Sequence, residues 1–179
     1  MALRKPATKR FFQIPSLRRL LALIACTYIA VVILTGVLQT RLIYIPSKLL
    51  DATPASVGLA FDDVILTAGD GIKISAWFVP HPNARATILF FHGNAGNNGD
   101  RVQELRQFHL MHYNAMIVDY RGFGKSQGHP TESGTYLDAQ AAWDNLTQIR
   151  GIPAKSIIIM GESLGGAVAI DTGQLLKCP

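Results

Sequence analysis

Residues Leu20 to Leu38 read LLALIACTYIAVVILTGVL, nineteen positions without a charge, and this run constrains the fold more than any other stretch. Backbone NH and carbonyl groups held away from water must pair within the segment, so the run is a helix. About 19 residues rising about 1.5 Å each extend roughly 28 Å, the thickness of a bilayer core. Arg4, Lys5, Lys9, Arg10, Arg18 and Arg19 precede the run, and only Arg41 and Lys48 follow it closely. That bias predicts a single-pass anchor with a cytoplasmic N-terminus and the remainder outside the cytoplasm, in the periplasm if the cell is Gram-negative. A cleaved signal peptide has an apolar region of only about 7 to 15 residues. Leu23-Ile24-Ala25-Cys26 resembles a lipoprotein processing site, but the residues after Cys26 stay apolar through Val32, which favours a membrane-buried cysteine.

The basic arm also explains the net charge. The formal +5 suggests a polyanionic partner, yet beyond Arg19 eleven basic residues meet all twelve acidic ones, a balance of −1. No nucleic-acid partner is expected. A chain of 179 residues with 49% apolar and 16% charged residues is neither disordered nor fibrous. Cys26 and Cys178 sit at opposite ends and make no disulfide framework or metal site. The organisation expected is therefore a basic arm at 1–19, a transmembrane helix at 20–39, a linker at 40–60 and a folded domain from 61 onward.

Within that domain the pattern is strand-like first. Val64-Ile65-Leu66, the turn Gly69-Asp70-Gly71, and the alternating Ile72, Ile74, Ala76 and Phe78 predict an antiparallel hairpin. Thr87 to Phe91, Met116 to Val118 and Ser156 to Met160 are short continuous apolar runs, as in strands buried on both faces. Helical spacing fills the gaps, over Asp100 to His112 and over Thr131 to Ile149, where Gly151 and Pro153 are stop signals. The fold class expected is α/β, an edge hairpin followed by parallel strands with flanking helices.

Two segments match G-x-S-x-G: Gly161-Glu162-Ser163-Leu164-Gly165 and Gly124-Lys125-Ser126-Gln127-Gly128. A nucleophilic serine needs a tight strand-to-helix turn that exposes its hydroxyl, with glycines relieving the crowding. Ser163 directly follows an apolar strand and precedes the small-residue run Gly165 to Ile170, whereas Ser126 sits in a polar loop before His129-Pro130. Ser163 is the candidate nucleophile. Gly124-Lys125-Ser126 does not complete a P-loop, because the glycine required five positions earlier is Asp119. His92-Gly93-Asn94-Ala95-Gly96-Asn97 ends a strand beside the expected position of Ser163, so the NH groups of Asn94 and Leu164 are the candidate oxyanion donors. His92 is read as bracing this loop rather than exchanging protons. Asn145-Leu146-Thr147 is a glycosylation sequon read as incidental on a helix.

These segments, with Asp119-Tyr120-Arg121-Gly122-Phe123-Gly124-Lys125-Ser126 and Pro130-Thr131-Glu132, occur in an order that resembles the α/β-hydrolase superfamily. The likeness is greatest to its membrane-anchored, serine aminopeptidase-like or lysophospholipase-like branch, over Phe61 to about Ile170. The resemblance implies Ser163 as nucleophile, Asn94 and Leu164 as oxyanion hole, no cofactor or metal, and ester, thioester or amide bonds in a small-molecule or lipid-like acyl substrate. It also implies that Asp119 and Arg121 are structural. Family members carry an acid and then a histidine after the serine. Here only Asp171 follows Ser163, and His81, His92, His109, His112 and His129 all precede it. The expectation is an incomplete domain ending after the nucleophile helix. An inactive, membrane-tethered interaction module stands as the competing reading.

Overall fold

The computed structural model describes residues 16–175; Arg4, Lys5, Lys9 and Arg10 of the basic arm, and Cys178, lie outside them. Helix α1 runs from Leu17 to Ile43, 27 residues with no buried side chain. It is the one helix among the described residues long and apolar enough to cross a bilayer. It extends past the expected 20–39 at both ends because each residue added to an existing helix gains a hydrogen bond without a new nucleation cost. The chain divides into two compact units between Gln39 and Thr40.

The second unit is built on a five-stranded mixed sheet of β2 (Asp62–Thr67), β3 (Lys73–Val79), β4 (Ala86–Phe91), β6 (Tyr113–Val118) and β7 (Ile157–Gly161), in the order β2-β3-β6-β4-β7. The β2–β3 hairpin is antiparallel, closed by Gly71 at φ +86°, and β3 joins β6 antiparallel. β4 pairs in parallel with β6 on one side and β7 on the other. That central place is why its sequence is an unbroken apolar run.

Side chains alternate across a strand, so β3, β4 and β6 each feed two cores. β2 and β7 feed one and leave Ile65, Ile158 and Met160 exposed on the other face, against the two-sided burial expected for Ser156 to Met160. Ile88 and Phe90 of β4 join Trp77, Val79, Ala115 and Ile117 beneath α2 (Val102–Leu110), which contributes Val102, Leu105 and Phe108. Leu89 and Phe91 join Ile74, Met116 and Val118 against α3 (Glu132–Asp144) and α4 (Leu164–Leu175), through Ala139, Ala142, Trp143 and Val168. The result is three layers, helix over sheet over helix. Thr131 caps α3 by accepting from the Gly134 NH, and a π-helical turn, Asn145–Ile149, continues it. Asn145 and Leu146 are buried there, so the sequon offers no free asparagine.

The segment 40–60, expected as a linker, is packed onto the domain. Tyr44 is buried in the α3 and α4 core, its ring edge-on to Phe123. A two-residue strand, β1 (Ile45–Pro46), pairs in parallel with β5 (Ala95–Gly96), and Pro54–Val57 form a 3-10 turn. Strands this short leave no periodicity in a sequence.

Candidate active site

Only Glu162 and Ser163 separate β7 from α4. Ser163 takes φ +52°, a left-handed conformation that costs an L-residue about 1–2 kcal/mol and is retained where the surroundings enforce it. Those surroundings are backbone. A Cβ on Gly165 would run into the carbonyl of Phe91, and one on Gly161 into the carbonyl of Gly165, so α4 presses directly on the ends of β4 and β7. The Glu162 NH donates to Phe91 O (2.9 Å), the Gly165 NH to Glu162 O (2.8 Å) and the Gly166 NH to Ser163 O (2.9 Å). The Ser163 side chain is exposed at this turn.

The register Phe91↔Gly161 sets the loop after β4 beside this turn. A Cβ on Gly93 would lie 3.7 Å from the Glu162 carboxylate, which in turn accepts from Arg101 Nε (3.0 Å). Neither the Asn94 NH nor the Leu164 NH donates to a protein acceptor among the described residues. An exposed hydroxyl on a strained turn beside unengaged amides has the parts needed for attack on a carbonyl and for holding the resulting oxyanion.

Ser126 is in the opposite situation. It is 2% exposed, its Oγ donating to Asp119 O (2.6 Å) and accepting from the Ser75 NH (2.8 Å). Its hydroxyl is engaged on both sides. His92 is fully buried, with Nδ1 on Gly93 O (2.7 Å) and Nε2 facing Asp119 Oδ1 at 3.6 Å, beyond hydrogen-bond reach. Tyr120 Oη donates to His92 O (2.9 Å), which pins the loop base from below; burial raises the Tyr120 pKa and keeps it a donor. Asp119 Oδ1 accepts from the Asn98 NH (2.8 Å). Arg121 binds Asp138 through Nε and Nη2 and Asp70 through Nη1. Burial works against the Arg121 charge, but the two carboxylates more than restore it and raise its pKa. All of these contacts hold loops.

No histidine side chain among the described residues hydrogen-bonds Ser163. His81 packs against His109 and His112, with ring centroids 4.6 and 4.7 Å away. These rings lie where β3 ends and β6 begins, the end of the sheet opposite the turn after β7. Asp171 lies eight residues into the chain beyond Ser163, about 12 Å of helix rise away. The sequence reasoning missed the hydrogen bonds that 43–49 makes to the loop after β4, and it missed Arg101, whose partner Glu162 lies 61 residues away.

The layered sheet and the strand-to-helix turn define an α/β-hydrolase fold. It superimposes on the Pyrococcus furiosus esterase Pf2001 with a TM-score of 0.65 at 27% identity, over 75% of this chain and 54% of that one. The family model described as serine aminopeptidase, S33, matches residues 82–179, and the chain belongs to that family. It is 39% identical over 148 residues to the α/β hydrolase domain-containing protein WAV2 of Arabidopsis thaliana, covering 78% of this chain and 48% of that protein. Protein bem46 of Schizosaccharomyces pombe is 35% identical over 122 residues, covering 66% and 41%. The chain spans about half the length of the curated relatives it matches.

Proposed function

We propose that this chain carries the nucleophile of a membrane-anchored serine hydrolase that cleaves ester, thioester or amide bonds in a small-molecule or lipid-like acyl substrate. Ser163 Oγ adds to the acyl carbon as its proton passes to a general base outside the described residues. The carbonyl π pair moves to the oxygen held by the Asn94 and Leu164 NH groups, and collapse expels the alcohol, thiol or amine and leaves an acyl-enzyme for water to cleave. α1 anchors the enzyme, and the basic residues preceding it hold the N-terminus in the cytoplasm and the hydrolase part outside. One observation carries the reading: an exposed serine at φ +52° between strand and helix, on glycines that admit no side chain. A folded protein retains such strain where the position serves a purpose.

A second reading, a catalytically inactive tethered module, is favoured by the lack of any histidine side chain hydrogen-bonded to Ser163 among the described residues. Fluorophosphonate labelling of membranes containing this chain separates the two. Labelling that disappears in Ser163→Ala supports the hydrolase, since only an activated serine reacts quickly. Absence of labelling in the unmutated protein, at a concentration that labels a control hydrolase, supports the inactive module.

A further inference from the structure

We propose that residues 43–49 form a strap that sets the oxyanion-hole loop, with Asn97 as its positioning residue. This deepens the hydrolase reading and rests on it. The loop Gly93 to Gly96 is short of side chains that could hold it, and Gly96 stands at φ +80°. The strap supplies what the loop lacks. Asn94 Nδ2 donates to Ile43 O (2.7 Å), the Ile45 NH to Asn94 O (2.8 Å) and the Ser47 NH to Gly96 O (2.9 Å). The side chain and carbonyl of Asn94 are both tied to the strap, and Gly93 O, on the peptide that carries the Asn94 NH, is held by His92 Nδ1 (2.7 Å), so the NH is flanked by fixed groups and left for a ligand.

Asn97 fastens the other end. It is 1% exposed, and its Nδ2 donates to both Ser47 O (3.2 Å) and Leu49 O (2.5 Å) while its Oδ1 accepts from the Gly99 NH (2.8 Å). One amide therefore joins the strap to the loop. The strap is itself moored on its far side, where Ser47 O accepts from the Gly124 NH (2.9 Å) and Lys48 Nζ donates to Ser126 O (2.7 Å). Oxyanion donors act only when preorganised toward the developing charge, so slack in the strap reaches the chemistry through the Asn94 NH.

The test uses the full-length membrane-bound protein and two variants. Asn97→Asp keeps the acceptor for Gly99 and removes both donors to the strap; Ile45→Pro removes one strap NH at an exposed side chain. Both are expected to lower kcat on an activated ester about 10- to 100-fold with KM nearly unchanged, the signature of an interaction made in the transition state. Hydrogen exchange at the Ser47 amide should rise in both, and kcat is read per folded molecule, because the buried carboxylate of Asn97→Asp facing Ser47 O and Leu49 O also lowers the midpoint of global unfolding. Unchanged exchange at Ser47, or a loss of kcat that only tracks loss of folded protein, overturns the strap. Wild-type protein that neither turns over nor labels at Ser163 overturns the hydrolase reading instead, and the strap then stands or falls on exchange alone.

Discussion

The loops around Ser163 and Ser126 share one sequence pattern and were built for opposite ends. At Ser163 the flanking glycines let backbone meet backbone, and the hydroxyl faces solvent. At Ser126 the flanking glycines, Gly124 at φ +44° and Gly128 at φ +76°, let the chain curl back, and the hydroxyl bridges Asp119 O and the Ser75 NH inside the protein. A G-x-S-x-G match thus records only that a serine sits on a tight turn. Whether the hydroxyl points out or in depends on the segment C-terminal to the serine: a helix N-terminus with free amides in one case, a second turn in the other.

The largest effect that tests this contrast is on catalysis. Ser163→Ala should lower kcat about 10⁵-fold or more and leave the unfolding midpoint in place, because the side chain removed is exposed. A variant that retained activity would break the contrast outright. Next is Gly165→Ala, whose methyl meets the Phe91 carbonyl on the central strand, where nothing flexible can give way. Overpacking of this kind costs about 1–3 kcal/mol, and here it also displaces the serine, so stability and labelling should fall together. Ser126→Ala should do the reverse of Ser163→Ala. It leaves the buried Ser75 NH unpaired at a cost of about 1–3 kcal/mol, read by urea unfolding, with kcat changed no more than about twofold. Gly128→Ala is milder, since its methyl would lie 3.4 Å from the adaptable Ile72 side chain, leaving mainly the φ penalty of about 1–2 kcal/mol.

The same contrast explains which features were legible in the sequence. β4 and β6 declared themselves because burial on both faces forces continuous apolar runs, as in Thr87 to Phe91; β7 reads the same way yet leaves Ile158 and Met160 exposed. The turn at Ser163 was legible because a strand, two glycines and a helix are contiguous in the chain. The Ser126 loop could be set aside but not explained, since its partners Ser75 and Lys48 lie 51 and 78 residues away. The strap left almost no signal. Its parallel pairing with Ala95–Gly96 is two residues long, and its hydrogen bonds run through backbone atoms that every sequence carries. Tyr44 was the one available hint, an aromatic residue placed where a solvated linker has no use for one.

The smallest effect concerns what holds each loop, and it is read in pH. The turn at Ser163 rests mainly on backbone contacts that do not titrate, with one half-exposed ion pair, Glu162 with Arg101, beside them. The loop from Arg121 to Gly128 rests partly on carboxylates, since Arg121 Nη1 donates to Asp70 Oδ2 (2.6 Å). Hydrogen bonds from Arg121 hold the Asp70 carboxyl below its ordinary value of 3.8. The unfolded chain therefore takes up this proton first on acidification. The contribution of Asp70 is fully present above its unfolded pKa and is lost as pH falls through the folded one. Burial pushes Asp138 the other way, up, so its titration offsets part of the loss in the wild type and only a substitution at Asp70 isolates that residue's share. In Asp70→Asn the stability deficit should be largest near pH 6 and should close toward pH 2, across the range in which carboxylates titrate, about 4 and below. The deficit of Gly165→Ala should stay constant over the same range. The Asp70 effect is modest because its side chain is 38% exposed and solvent screens the pair. A deficit in Asp70→Asn that did not change with pH would mean that the loop around Ser126, like the turn at Ser163, is held mainly by shape.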